Sequence, residues 1–331
     1  MDIQSPIRIG ILGAASIVPD ALTGPARSVR EVHVEAIAAR DPKRASAFAK
    51  RHQIPRVHES YNALLADPQI DAIYNPLPNS LHAEWAIRAL KAGKHVLCEK
   101  PFASNAKEAE QMAEAAQDTG RVLSEGFAYR YHPITARMRN ILASGEIGKV
   151  RHIEAQFCFL LPQPKNIRFQ YKLAGGALMD AGCYPVSLIR FLAQAEPVVT
   201  NAKARLFAPQ VDSHMEASMN FADGRTAHLV CDMLSSALFR SFAHVRGDEG
   251  ELRVINPFHP HWFNWLEIRN HKGTQREWVR GENIYVYQLR AFAQAIHGET
   301  KLSTDSQDTL GNMRVIDAIY EKAGLNHRGT E

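Results

Sequence analysis

The sequence predicts an α/β chain in two parts, a doubly wound parallel sheet followed by an α+β domain on an open, mostly antiparallel sheet. Three observations carry that prediction. Short apolar runs alternate with helical patterns over the first 125 residues. After about Ser144 longer runs with a period of two take over. Asp223-Gly224 separates two of these runs, as a hairpin turn does.

Taken in order, strands are expected at residues 7–12, 32–39, 72–74, 95–98 and 122–124, with helices at 42–52, 61–66, 80–92 and 105–119. Gly93 and Gly120 stand where two of those helices stop. In the run 151–161, Ile153, Ala155, Phe157 and Phe159 share one face, and His152, Glu154 and Gln156 share the other. Runs 214–221 and 226–233 flank the hairpin turn, and further strands are expected at 242–246, 251–255, 262–268 and 276–279. Helices at 284–296 and 306–323 close the chain. There is no internal repeat and no low-complexity linker, so the expected domains, 1–125 and 126–331, meet at a change of pattern.

Composition narrows the class of function. Of 331 residues 45% are hydrophobic, enough for a sizeable core and too many for a disordered chain. The net charge of +4, from 39 Lys+Arg against 35 Asp+Glu, suits an anionic small molecule and is too weak to argue for nucleic acid. No apolar run reaches the roughly 18–20 residues of a membrane span. Residues 1–8 do not read as a secretory signal. Cys98, Cys158, Cys183 and Cys231 are far apart and form no CxxC pair, so a reduced, cytoplasmic setting is expected.

The first candidate for chemistry is the run Arg8-Ile-Gly-Ile-Leu-Gly-Ala-Ala-Ser-Ile-Val18, an apolar strand entering small residues and then a helix-like stretch. A dinucleotide-binding turn needs that context, because small residues let the backbone approach a pyrophosphate. Gly13, Ala14, Ala15, Ser16 and Ile17 are the candidate cradle. The glycine slots hold Gly13, Ala15 and Val18, so only the first is glycine, and an ordinary tight turn fits equally well. At the end of the second strand, Pro42 makes Asp41 the natural cap of the next helix. That leaves Arg40 to meet a ribose 2′-phosphate, which favours NADP, with NAD possible; a solvated arginine is the plain alternative.

Glu99, Lys100 and Pro101 directly follow a buried strand, where open α/β sheets bind their ligands. Pro101 stiffens this turn, and Ser104 is the expected cap of the next helix. A fixed Lys100 ammonium beside a substrate hydroxyl would stabilise a developing alkoxide and lower the pKa of a neighbouring acid. A surface ion pair is the competing reading. Farther on, Asp180 and Tyr184 are four apart and would share a helical face. Gly182 and Pro185 then require a kink or a fresh helix near Pro185. The structural alternative has Asp180 as a cap and Tyr184 in the core.

Residues 11–15 (Ile-Leu-Gly-Ala-Ala), 93–101 (Gly-Lys-His-Val-Leu-Cys-Glu-Lys-Pro) and 175–184 (Gly-Gly-Ala-Leu-Met-Asp-Ala-Gly-Cys-Tyr) together resemble the Gfo/Idh/MocA oxidoreductases, the glucose–fructose oxidoreductase and inositol dehydrogenase family, over essentially the whole chain. Residues 34–41 and Tyr129-Arg130-Tyr131-His132-Pro133 make the chain similar to the dihydrodiol dehydrogenase and NADP-dependent D-xylose dehydrogenase group. The resemblance implies a Rossmann-like first domain, a substrate-binding second domain and a site in the cleft they form. It carries catalytic positions onto Lys100, Asp180 and Tyr184; many relatives have histidine where Tyr184 stands. It also puts Asn75, Pro76, Leu77, Pro78, His82 and Glu99 beside the ribose and nicotinamide, and Arg168 near cofactor or substrate. Pro76 and Pro78 as loop stiffeners, Ser80 as a helix cap, His82 as a packed helix residue and a solvated Arg168 are the ordinary readings.

The implied activity is hydride transfer between a nicotinamide and a CH–OH or C=O group of a sugar, cyclic polyol or trans-dihydrodiol. The long alternating strands suggest an exposed sheet face for a second subunit, so a homodimer or dimer-based oligomer is expected, without nucleic-acid or membrane partners. Tyr184 would move the proton and Lys100 would favour its phenolate. The rival functions are a non-catalytic NADP-binding regulator or scaffold and a sugar–sugar oxidoreductase that keeps NADP bound. Other signals are weaker. His259-Pro260-His261 has no partner at a metal-ligand spacing. Ser16, Ser124 and Ser187 lack a nucleophile elbow. Phe157, Phe159, Trp262 and Trp265 read as sheet-face packing or a subunit interface.

Overall fold

The computed structural model describes residues 5–326. Six strands, β1 (Ile7–Leu12), β2 (Val32–Ala38), β3 (Arg56–His58), β4 (Ala72–Asn75), β5 (His95–Cys98) and β6 (Leu123–Glu125), pair in parallel in the order β3-β2-β1-β4-β5-β6. The order runs outward from β1 and β4 in both directions, so the crevice at their carboxyl ends is the natural ligand position. Ile9, Ile11, Ile37, Ile73, Val96 and Leu97 are buried, as strands covered on both faces require. The three-residue β3 was not expected. It is too short, and too little buried, to leave an apolar run in the sequence.

Helices α1 (Pro42–His52), α2 (Tyr61–Ala66), α3 (His82–Lys91) and α4 (Ala106–Thr119) connect these strands. Asp41 caps α1, its carboxylate accepting from the Lys43 amide at 2.9 Å, and Ser60 caps α2. The cap of α4 is Asn105, not the expected Ser104. Asn105 accepts from the Glu108 amide, while the Glu108 carboxylate takes the Ser104 N–H, each at 2.9 Å. Ser80 is not a cap either, because α3 is entered through a tight turn over Asn79–Leu81 with no side-chain cap. Gly120 ends α4 in the left-handed region.

Eight strands build the second sheet: β7 (Val150–Leu160), β8 (Val198–Ala208), β9 (Val211–Asn220), β10 (Thr226–Asp232), β11 (Leu234–Gly247), β12 (Gly250–Ile255), β13 (Trp265–Asn270) and β14 (Gly273–Glu277). Their order is β14-β13-β12-β11-β7-β10-β9-β8, antiparallel except for the parallel pair of β10 with β7. Gly224 (φ +85°) makes the β9–β10 hairpin turn. The edge strand β8 gave no sequence signal because most of its residues are exposed and their polarity does not alternate. β11 runs well beyond the expected 242–246 through a left-handed Leu238 and a register shift. Ile153, Ala155 and Phe157 point to the core with Met215, Ala217, Leu229 and Leu252.

Helix α5 (Pro133–Ala143) is capped by the His132 ring, and α6 (Cys183–Ala193) packs on β7 and β10. Helices α7 (Ile284–Ile296) and α8 (Ser306–Lys322) are the last elements among the described residues. The chain divides into two compact units, Met1–Ala128 with Tyr285–Leu310, and Tyr129–Ile284 with Gly311–Glu331. The expected linear division at 125/126 therefore misses a return of the chain. Thr304 accepts from the Glu125 amide and lies 3.0 Å from the Ser124 hydroxyl, and Asp305 bridges to Ser124, so this segment extends the edge at β6. In the second unit Asp212 ties α8 to β9, accepting from Tyr320 Oη at 3.0 Å and from the Leu178 amide at 2.7 Å. All four cysteines are free and buried, and among the described residues no helix is long and apolar enough to cross a membrane.

Two histidines, the buried His132 and the half-buried His95, set an acid limit on this fold. Burial lowers the pKa of His132 to about 4; burial, then the nearby Arg121 charge, lowers that of His95 to about 4. Unfolding returns both to about 6.5, so between these values the unfolded chain binds more protons. Stability is therefore complete above about pH 6.5 and lost as pH falls toward about 4. Urea midpoints across this range should be flat and then fall; a midpoint independent of pH would contradict the assignment.

Candidate functional site

In the first unit the ends of β1, β2, β4 and β5 present the expected residues. Gly13 follows β1 with φ +88°, and its amide donates to the Ala38 carbonyl at 2.7 Å. A Cβ at Gly13 would lie 3.0 Å from Leu77 Cδ2, so glycine answers both the backbone angle and the close approach of the next loop. Among the described residues no acceptor takes the amides of Ala14, Ala15, Ser16 or Ile17. Ser16 is exposed, and Ala15 and Ile17 are half-buried. Consecutive N–H groups at an open turn of small residues fit a pyrophosphate, so this turn suits a dinucleotide.

Beside it, Arg40 is exposed at the start of α1. The Asp41 carboxylate is committed to the helix cap. Arg44, which sequence reasoning missed, donates from Nη2 to the Ala14 carbonyl at 2.7 Å and so borders the cradle. The signal was its place one helical turn after Arg40. The Tyr61 hydroxyl meets the Arg40 backbone, and burial raises its pKa.

The loop after β4 is held from beneath. Asn75 is fully buried; its amide group donates to the His82 carbonyl at 3.2 Å, and its side-chain oxygen accepts from the Leu77 amide at 3.4 Å. Pro76 is buried, and Leu77 and Pro78 continue the loop. His82 is 1% exposed, with Nε2 2.7 Å from the Leu77 carbonyl and Nδ1 2.8 Å from that of Pro101. The ring thus lies between the Asn75–Pro78 loop and the Glu-Lys-Pro turn, within hydrogen-bond reach of a carbonyl on each; burial lowers its pKa, and the two carbonyls oppose that shift.

At that turn Glu99 is buried and accepts from Tyr74 Oη at 2.7 Å, while its amide donates to the Asn75 carbonyl at 3.0 Å. Burial, reinforced by the Glu99 charge, holds the Tyr74 phenol far above its ordinary value, so it stays a donor. Lys100 follows half-buried, and the Lys100-Pro101 peptide is cis. Burial pushes the Cys98 thiol well up, which leaves it unreactive.

The second unit pairs Arg168 with Asp180 and carries Tyr184 four residues farther along the chain. Arg168 Nε lies 2.8 Å from Asp180 Oδ2, with the Asp180 side chain 13% exposed. The Gly175-Gly176 pair permits this. A Cβ at Gly175 would strike the Arg168 carbonyl, and the Gly176 amide donates to the same oxygen at 2.8 Å. Asp180 sits in a widened helical turn, Leu178–Gly182, and α6 starts afresh at Cys183 with Pro185 in its first turn. Tyr184, 8% exposed, is set among Phe157, Phe258, Tyr129 and His259, with ring centroids 5.3, 5.4, 5.9 and 6.0 Å away.

Tyr129 and Arg130 both donate to Ser187 Oγ one turn along α6, at 2.9 and 3.1 Å. Phe258 and His259 had no sequence signal as neighbours of Tyr184, because the turn bearing them follows β12, some seventy residues later. Among the described residues no three His, Cys, Asp or Glu side chains converge as metal ligands.

With this geometry in hand, comparison with known proteins is decisive about kinship. The family described as "Oxidoreductase family, NAD-binding Rossmann fold" matches residues 7–127, and "GFO/IDH/MocA C-terminal domain" matches residues 135–253. A D-xylose 1-dehydrogenase (NADP(+)) of Haloferax volcanii is 38% identical over 95% of this chain and 96% of its own. A trans-1,2-dihydrobenzene-1,2-diol dehydrogenase of Danio rerio is 33% identical over 75% and 74%. Among solved structures, a 3-ketoreductase of Actinomadura kijaniata in complex with NADP and TDP-benzene superposes with a TM-score of 0.88 at 31% identity, covering 96% of this chain and 98% of that one. The same ketoreductase has been solved with a tyrosine changed to phenylalanine and with a lysine changed to alanine or glutamate. The chain belongs to the Gfo/Idh/MocA family of oxidoreductases.

Proposed function

We propose that this protein is an NADP-dependent dehydrogenase or reductase acting on a CH–OH or C=O centre of a sugar, cyclic polyol or trans-dihydrodiol. Tyr184 is the acid/base, Lys100 its electrostatic partner and Asp180 the orienting carboxylate. The observation that carries the proposal is the pairing, on one helical run, of an arginine-held Asp180 with a Tyr184 ring fixed among aromatic neighbours. The names of the relatives support it, as does the choice of a lysine and a tyrosine for replacement in the ketoreductase.

A bound nicotinamide supplies the hydride acceptor or donor. The chain's own groups handle the proton and the substrate. A free tyrosine, with a pKa of about 10, is a poor base near neutrality. The Lys100 ammonium favours the phenolate, and Arg168 offsets the Asp180 charge that would otherwise oppose it. Tyr184 then takes the hydroxyl proton during oxidation and returns it during reduction. The ring packing keeps the phenol oxygen aimed without an entropic penalty at each turnover.

For the cofactor, the amides of Ala14 to Ile17 hold the pyrophosphate, and Arg40 with Arg44 meets the 2′-phosphate. Asn75, Pro76, Leu77, Pro78, His82 and Glu99 shape the nicotinamide end, His82 from between the loop and the Glu-Lys-Pro turn. The protein acts in the cytoplasm as a homodimer whose partner covers the outer face of the second sheet. There Glu251 and Glu267 are laced to Arg253, Arg269 and Arg276, beside exposed Ile255 and Trp265.

Tyr184→Phe and Lys100→Ala should each lower turnover by about 10²–10⁴-fold while NADPH titrations stay close to wild type; near-normal turnover in both sinks the assignment. Arg40→Ala and Arg44→Ala should each weaken NADP binding about tenfold and NAD binding far less, as loss of one charged contact to the 2′-phosphate would. Equal losses for the two cofactors would remove the NADP preference.

A further inference from the structure

A cavity of about 820 Å³ lies at the opposite end of the strands of the six-stranded sheet, where they begin. Arg8, Asp71, Lys94, His95, Arg121 and His297 line it, together with Glu35 and His33 on the β2 side. The hydride-transfer chemistry uses none of them.

The charges there do not balance locally. Arg8 and Asp71 satisfy each other through two hydrogen bonds of 2.9 and 2.8 Å, and Glu35 is engaged by Arg56 at 3.2 Å and by His33 at 3.5 Å. Lys94 is buried, and its ammonium donates to two neutral acceptors, the carbonyls of Asp67 and Ile70, at 2.7 and 2.8 Å. Arg121 pairs with no carboxylate among the described residues.

The His95 ring sharpens the case. Its Nδ1 accepts from the Val122 amide at 3.0 Å, so the proton of the neutral ring sits on Nε2. That nitrogen faces Arg121 Nη1 at 3.5 Å. Two donors thus point at each other, an arrangement that wants an acceptor shared by both. Cations placed to answer helix carboxyl ends would explain Lys94 and Arg121 singly, but not this apposition.

We propose that the cavity binds a small oxyanion, a phosphate either free or carried as a monoester, held by His95 Nε2–H and Arg121 with the Lys94 charge behind them. The ligand would sit against the starts of β1, β4 and β5, far along those strands from their cofactor-binding ends. The inference is independent of which alcohol the protein oxidises.

The test is ¹⁵N-histidine NMR of the full chain saturated with NADP, so that the 2′-phosphate site is filled, during titration with inorganic phosphate at ionic strength fixed by chloride. His95 should shift saturably, and its pKa should rise from about 4 because a bound anion favours the imidazolium. Asp71, Arg8, Lys94, Arg121 and His297 are the charged or titratable groups facing it, and only the added anion changes between arms. Arg121→Gln should weaken the response at least about tenfold, roughly 1.4 kcal/mol, with Arg121→Lys recovering part of it. A sugar phosphate binding more tightly than inorganic phosphate identifies a metabolite as the source, and equal binding identifies free phosphate. No saturable shift, or an undiminished one in Arg121→Gln, overturns the proposal.

Discussion

The hydrogen bond from Tyr74 to Glu99, 2.7 Å long and buried, anchors the functional end of the first unit. It joins the penultimate residue of β4 to the residue that follows β5 through side chains, while the Glu99 amide joins the same two segments again through the Asn75 carbonyl. A carboxylate out of water is costly unless its partner is close and well aimed. The phenol, held protonated by burial, is such a partner. Lys100 departs from this fixed point, and its placement is inherited from the residue before it. His82 lies between the Asn75–Pro78 loop and the Pro101 carbonyl, within hydrogen-bond reach of each.

The second unit uses the same principle with a charged donor in place of the phenol. The ion pair of Arg168 with Asp180 needs an arginine loop laid directly over a helical turn, which only the bare Gly175-Gly176 backbone allows. Tyr184 gains its position from packing, and the hydroxyls of Tyr129 and Ser187 lock the neighbouring turn. Rigid polar anchors in one unit and aromatic packing in the other are two ways of holding a side chain still. In the proposed mechanism both would move the ordering cost from turnover to folding.

Much of this was legible in the sequence because local rules governed it. Pro42 with Asp41 fixed the start of α1, and Asp223-Gly224 fixed the β9–β10 hairpin. Glu-Lys-Pro after a buried strand, and the four-residue step from Asp180 to Tyr184, mark candidate chemistry in the sequence alone. What stayed hidden depends on distant partners. The β8 edge has no apolar face of its own, and Thr304 joins the β6 edge through backbone bonds that leave no composition signal. Phe258 and His259 reach Tyr184 only through the path of the sheet. Ser104 misled because Asn105, the next residue, is an equally good cap and won the geometry.

The central claim is that this chain turns over NADP with a ring-bearing alcohol or carbonyl compound, beyond merely binding the cofactor. It is tested most directly by following nicotinamide absorbance when aldoses, cyclic polyols and trans-dihydrodiols are added in turn to the protein with NADP, and the matching carbonyl compounds with NADPH. The account predicts a sustained, substrate-dependent change with at least one of these compounds. Tight NADPH binding with no absorbance change across the whole panel would contradict it.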